Sequence, residues 1–457
     1  MSILSLSYLL FSAESAVLTW LFPNRTRKYT VFIINCFFLF LLRANLMDVI
    51  YVVCLTLWVY AFGWGMEHKM KSPAILTLAV LVPVIGLAVC KYAGYFGMRI
   101  IMPLGISFYT FKGLSYLFDV YRKKVKSRDI IAVFDYMVFF PVFMAGPINR
   151  AFAFFEELEK LWVFEYKDQK NGFVQACLGV VEKMVIADQL SAMVKAFLNP
   201  ELTGWYTVFG VILYAFQLYV DFDAYSNVAI GIARMMGFHL DRNFHSPYLS
   251  ASIGEFWRRW HISLSSWLRD YVCIPLGGSH KGTARKIINI LVVFLISGLW
   301  HGSTMMFLIW GFGHALLHIL EGFLRPLFKG QKWVKYLKPV WIVINFAFVA
   351  VLWVFFRSES MAEAMGILSR MTMVHGLPSI SYETAGVTQN ELIWTYVLIG
   401  ILFVIDFLRY HRDMIEFLSN RFIITRWVFY FAVIVISIIF GVYGPGYHPE
   451  DFIYVTF

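Results

Sequence analysis

The sequence predicts an all-α polytopic membrane protein, and three observations carry that prediction. Of 457 residues, 60% are hydrophobic, 19% aromatic and 15% charged. An average soluble domain has about 25% charged and about 45–50% apolar residues, so a soluble fold of this length would lack the polar surface it needs. The 45 Phe and 15 Trp also exclude a solvated, disordered chain. Second, apolar runs approach the ~20 residues that span a bilayer. Third, basic clusters punctuate those runs. The formal charge of +10, from 39 Lys and Arg against 29 Asp and Glu, is what basic cytoplasmic loops give and needs no nucleic acid partner.

Taken in order, the expected spans are 3–22, 30–44, 47–64, 74–92, 101–120, 173–197, 205–220, 287–300, 303–322, 339–356, 393–408 and 427–443. The stretch 130–149, broken by Pro141 and Pro147, is a further candidate, which gives about eleven to thirteen helices. The first run lacks a basic n-region and its charges (Arg25, Arg27, Lys28) follow it, so it reads as a span and not a cleaved signal peptide. Placing the clusters at 25–28, at Lys69 and Lys71, and at 122–128 in the cytoplasm puts the N-terminus outside. The clusters at 281–286, 325–338 and 409–426 are cytoplasmic on the same reading, and the tail 444–457 is outside. The segment 150–171 reads as an interfacial helix. Cys36, Cys54, Cys90, Cys177 and Cys273 are odd in number, lack metal-like spacing and read as buried small hydrophobes. No internal repeat is visible, which weighs against a secondary transporter.

Polar residues in so apolar a chain are expensive, and three blocks hold them. The first is Asp221-Phe222-Asp223-Ala224-Tyr225-Ser226-Asn227, after the run VFGVILYAFQLYV. The second runs from Glu255 through Trp257, Arg258, Arg259, Trp260, His261 and Ser265 to Asp270. Read as one helix, it places Trp257, Trp260, His261 and Ser265 on one face. Its arginines suit phosphates or carboxylates and its tryptophans suit planar rings, but on composition alone an interfacial helix with Trp and Arg at headgroup level is the favoured reading. The third is Ser297-Gly298-Leu299-Trp300-His301-Gly302. The apolar stretch 287–322 around it can run inward and return, with His301 near the turn and Gly298 and Gly302 allowing close backbone approach. A histidine there either bonds a neighbouring helix or does chemistry. His314 and His318 have metal-ligand spacing, but with no third ligand evident no metal site is expected.

In this order the blocks resemble the membrane-bound O-acyltransferase family, in its bacterial polysaccharide O-acetylation branch. The matching stretches are PLGISFYTF (103–111), FPVFMAGPINR (140–150), QLYVDFDAYSNVAIGIARMMGF (217–238), FHSPYLSASIGEFWRRWHISLSSWLRDYVCIPLGG (244–278), SGLWHG (297–302) and the closing FIYVTF (452–457). Asn227 and Ala224 depart from the family's acidic and glycine positions, and Val455-Thr456 departs from its usual tail. The chain reads as a single membrane domain over 1–457, with N-terminal helices (1–100) that rest on hydropathy alone, a catalytic core (101–322), C-terminal helices (323–443) and an external tail (444–457), the resemblance covering most of it from about residue 100 onward. The resemblance implies a ring of about 11–13 tilted helices around a central tunnel, in a bacterial cytoplasmic membrane. Its two functional histidines fall on His261 and His301.

The activity implied is transfer of acetyl from cytoplasmic acetyl-CoA, the donor substrate, toward an extracellular polysaccharide such as alginate or peptidoglycan, with no bound cofactor. Acyl transfer needs a base for the hydroxyl and a stabiliser for the oxyanion. His301 is the expected base, since burial disfavours its charged form. His261 is expected to orient the donor or polarise its carbonyl. Trp257, Arg258, Arg259, Trp260, Ser265, Asp270, Trp300, Asp221 and Asp223 are expected to bind substrate or support the site. Tyr454, in F-x-Y-x-x-F, is the candidate acyl carrier, because a phenol of pKa near 10 forms a more reactive ester than a sugar alcohol. Its expected partner is an extracytoplasmic SGNH-type acetyltransferase or another secreted acceptor. D-alanyl transfer to teichoic acid and a proton-coupled transporter or flippase are the alternatives.

Overall fold

The computed structural model describes residues 5–42, 46–68, 71–98, 100, 102–161, 163–278, 281–328 and 336–441. Every regular element among them is helical, and eight helices are long and apolar enough to cross a membrane. These are Leu46–His68, Pro73–Phe96, Trp205–Met235, Thr283–His301, Met305–Leu327, Lys338–Arg357, Gln389–His411 and Ile423–Phe440. Their ends follow local chemistry. Ser72 accepts from the Ile75 amide ahead of Pro73, and Thr388 forms a reciprocal cap with Glu391. The helix Ile423–Phe440 has no buried residue, so its Phe431, Ile434 and Ile438 side chains need lipid around them. The chain is a multi-pass membrane protein.

Five of the expected spans come out differently. The runs 3–22 and 30–44 form helices of only 16 and 15 residues, Leu6–Leu21 and Arg27–Leu41. The run 101–120 becomes Ile106–Tyr121, with most of its side chains buried in protein. The stretch 130–149 is a nine-residue helix, Ile130–Val138, followed by a short 3-10 turn at Phe140–Val142. The run 173–197 lies on two helices, Tyr166–Val181 and Asp188–Phe197, joined through a π-helical turn, Glu182–Ala187. The interfacial segment 150–171 divides between Ala151–Glu159 and the start of Tyr166–Val181. Conversely, 205–220 is part of a 31-residue helix, so the Asp221 block sits inside a helix. The cysteines correct a further expectation: Cys36 and Cys54 are exposed and the other three half-buried.

The described chain forms two compact units. The first comprises the residues through Val180 together with Tyr225–Arg242. Its centre is held by Asn35, which donates to Asp135 (3.1 Å) and accepts from the Phe140 amide (3.1 Å). The Tyr136 hydroxyl reaches the carbonyls of Lys112 and Asn149 at 3.2 and 3.1 Å. Asn227 accepts from Gln175 at 3.2 Å, which gives this departure from the family pattern a packing role. The second unit comprises Val181–Ala224 and the residues from Asn243 onward, and it holds both candidate histidines.

Within the second unit, Thr283–His301 and Met305–Leu324 form a tight hairpin across Gly302–Thr304. A Cβ on Gly298 would lie 2.5 Å from the Phe307 carbonyl oxygen, and one on Gly311 would lie 2.4 Å from that of Phe294. Both neighbours are backbone, which cannot rotate aside. Gly311→Ala is therefore expected to force the helices apart at a cost of about 1–3 kcal/mol. Thermal unfolding in detergent checks this, and an unchanged Tm would refute the close crossing.

Candidate functional site

His301 is the last residue of Thr283–His301 and is 4% exposed. Aromatic rings enclose it: Trp300 at 4.9 Å, Trp310 at 5.0 Å, Phe356 at 5.3 Å and Phe307 at 6.5 Å between centroids. The SGLWHG motif thus delivers an imidazole to a buried turn, as its position between two apolar runs predicts.

The second block does not form the continuous helix expected of it. One helix, Ile253–Trp257, ends in a turn, and another, Ile262–Leu268, begins after His261. His261 has φ +41 and ψ +55, a left-handed conformation uncommon for a residue with a Cβ. Hydrogen bonds on both sides impose it. Ile262 N donates to the Asn243 carbonyl (2.9 Å), Ser263 Oγ to Asn243 Oδ1 (2.6 Å) and His245 N to the Arg259 carbonyl (3.0 Å). Strain held by surrounding structure is common at functional sites. Here the turn directs His261 inward, to 0% exposure, against Phe222 (4.8 Å) and Trp300 (6.0 Å). Burial pushes the His261 pKa down to about 3, so the ring is neutral at pH 7. Trp300 therefore borders both imidazoles.

The break also separates the residues expected on one face. Trp257 turns toward Trp310 (5.8 Å) and His314 (5.2 Å). Trp260 packs between Trp353 (4.9 Å) and Phe244 (5.0 Å) as core. Arg259 pairs with Glu255 (2.9 Å) and stacks on Tyr410 (4.5 Å). Ser265 Oγ donates to the Trp260 carbonyl (3.3 Å), and Asp270 pairs with its neighbour Arg269 (2.8 Å). Arg258 is exposed, its guanidinium near Gly254. Tyr454 lies outside the described residues.

Asp221 and Asp223 each meet a cation that sequence reading did not single out. Lys183 lies 2.6 Å from Asp221 and 2.9 Å from Asp188. Arg409 holds Asp223 (2.5 Å) and Glu182, while Tyr219 donates to Asp406 (2.7 Å). Most of these contacts join residues far apart in the chain, up to 227 positions for Arg409 and Glu182, and only the apolar cost of isolated charge hints at them in the sequence. Phe222, between the two aspartates, is the residue of the block that touches His261. The block thus anchors a wall of the site through its acids.

A profile of the membrane-bound O-acyltransferase family matches residues 95–362. The chain is 38% identical over 324 residues to the probable alginate O-acetylase of Pseudomonas aeruginosa, covering 65% of this chain and 60% of that protein. It is 31% identical over 316 residues to a peptidoglycan O-acetyltransferase of Helicobacter pylori, covering 61% and 58%. A teichoic acid D-alanyltransferase of Bacillus subtilis is 27% identical over 354 residues, covering 71% and 89%. The chain thus spans less than two thirds of the first two relatives.

The ion network predicts a stability effect. Lys183→Met removes the ammonium between two buried carboxylates and is expected to cost about 3–5 kcal/mol, with Lys183→Arg retaining most of the stability. Unfolding in detergent measures it, and a loss near zero for Lys183→Met would contradict the network's role.

Proposed function

Because the chain belongs to the membrane-bound O-acyltransferase family, we propose that it is an O-acetyltransferase acting across a bacterial cytoplasmic membrane. Its donor is cytoplasmic acetyl-CoA, and its product serves O-acetylation of an extracellular polysaccharide, alginate-like or peptidoglycan. The observation that carries this reading is His301, buried at a helix-hairpin turn and sharing the Trp300 ring with His261. His301 takes the proton of the incoming hydroxyl as its oxygen attacks the thioester carbonyl. His261, neutral and held by its turn, orients the donor.

In this scheme the N-terminus and the tail are extracytoplasmic. Tyr454 is the first hydroxyl acylated, and its phenyl ester passes the acetyl group to an SGNH-type acetyltransferase outside. The phenolate leaves more readily than an alkoxide, so the second transfer stays favourable. D-alanyl transfer is the second reading, favoured by the match across 89% of the Bacillus subtilis D-alanyltransferase. Comparing acetyl-CoA with a D-alanyl carrier-protein thioester as donor separates the two.

Purified protein in nanodiscs is expected to release thiol from acetyl-CoA, and His301→Ala to lower that rate by about 10²–10⁴-fold. Equal rates would remove the base assignment, and no release by wild type from any acyl thioester would favour a transporter. Tyr454→Phe is expected to bring polymer acetylation in cells to background with the protein still present in the membrane. Wild-type acetylation in that variant would exclude the carrier.

A further inference from the structure

A third imidazole packs on the same Trp310 ring as His301. His314, on the helix Met305–Leu324, has 0% exposure. Phe256 and Phe294 stack parallel to it, each with its centroid 6.1 Å away, while Trp257 and Trp310 meet it edge-on at 5.2 and 5.1 Å. The indole nitrogen of Trp257 lies 3.4 Å from His314 Nδ1. An indole nitrogen only donates, so Nδ1 accepts, and the single proton of the neutral ring sits on Nε2.

The N–H so fixed is unusual. His314 Nε2 is buried and has no hydrogen-bond partner among the described residues. A buried donor without an acceptor is destabilising, and such groups call for an explanation such as a catalytic role. The Trp310 ring packs 5.0 Å from His301 and 5.1 Å from His314, so one indole borders both imidazoles. Around them lie apolar rings, where a preorganised donor acts more strongly than in water.

The geometry points to His314 as a catalytic residue, the hydrogen-bond donor to the thioester carbonyl of the acyl donor. Trp257 is the positioning residue that fixes its tautomer. This assignment rests on the acyl-transfer reading above. As the hydroxyl oxygen attacks the carbonyl carbon, His301 takes the hydroxyl proton and the carbonyl π pair moves onto oxygen, where His314 Nε2–H holds it. When that pair returns, the C–S bond breaks and the bond pair leaves with sulfur. The thiolate takes the proton from the His301 imidazolium, and both histidines end neutral. A neutral imidazole acting as an electrophile has precedent in enzyme chemistry.

Three substitutions test this in nanodisc-reconstituted full-length protein, with acetyl-CoA as donor and thiol release as readout. His314→Phe keeps a flat ring without the donor and is expected to lower kcat by about 10²–10³-fold while KM stays within about twofold. His314→Gln can accept from Trp257 through its oxygen and donate through its nitrogen, so it is expected to recover about tenfold over the Phe variant. Trp257→Phe frees the tautomer and is expected to lower kcat about three- to tenfold with KM unchanged. A thioether analogue of acetyl-CoA, binding equally to all four proteins, confirms that they are folded. Wild-type kcat in His314→Phe, with His301→Ala inactive, overturns the assignment and leaves the base in place. A rise in KM at constant kcat also overturns it, since that signals uniform binding. If wild type releases no thiol from any acyl thioester, the acyl-transfer reading itself falls and this assignment falls with it.

Discussion

The crossing of Thr283–His301 and Met305–Leu324 is the contact on which the rest of the site depends. A carbonyl oxygen of each helix occupies the space where the other's glycine, Gly298 or Gly311, would otherwise carry a Cβ. At that separation the short turn Gly302–Thr304 closes the hairpin, and His301 ends its helix inside protein. Trp310, on the returning helix, then lies beside His301 and carries the aromatic wall onward to His314 and Trp353. Without a driving force from water, helices in a bilayer associate through close packing and a few polar contacts, and small residues make that packing available.

Charge is handled differently. The acids of the 221–223 block are matched to Lys183 and Arg409 inside the second unit. Such pairs contribute little net stability against a hydrophobic alternative, because desolvation offsets their attraction, but removing one partner is costly. What they secure is geometry: they hold the segment carrying Phe222 against His261. The strained turn at His261 is held in the same manner, by Asn243 and His245 bonding across it.

Much of this was legible in the sequence. The runs 339–356, 393–408 and 427–443 agree closely with observed helices because they face lipid, and hydropathy measures that directly. The runs 101–120 and 130–149 were misread because burial inside protein selects the same apolar residues as exposure to lipid. SGLWHG announced His301 through its glycines and its position between apolar runs. The shared face expected of Trp257, Trp260, His261 and Ser265 failed because the first helix ends at Trp257 and a left-handed residue, invisible in composition, turns the chain at His261. Lys183, Arg409 and the Trp257–His314 bond were hidden for another reason: their partners lie far apart in the chain, and no local pattern encodes them.

The proposed place of acyl transfer is the buried hairpin turn that carries His301. An experimental structure of the full-length protein in nanodiscs, bound to a thioether analogue of acetyl-CoA, tests it most directly. The analogue's acyl carbonyl is expected within the Trp300–Trp310–Phe356 enclosure, with a hydroxyl able to reach about 3 Å from the His301 imidazole. An acyl group bound outside the Trp300–Trp310–Phe356 enclosure, beyond the reach of His301, would contradict it.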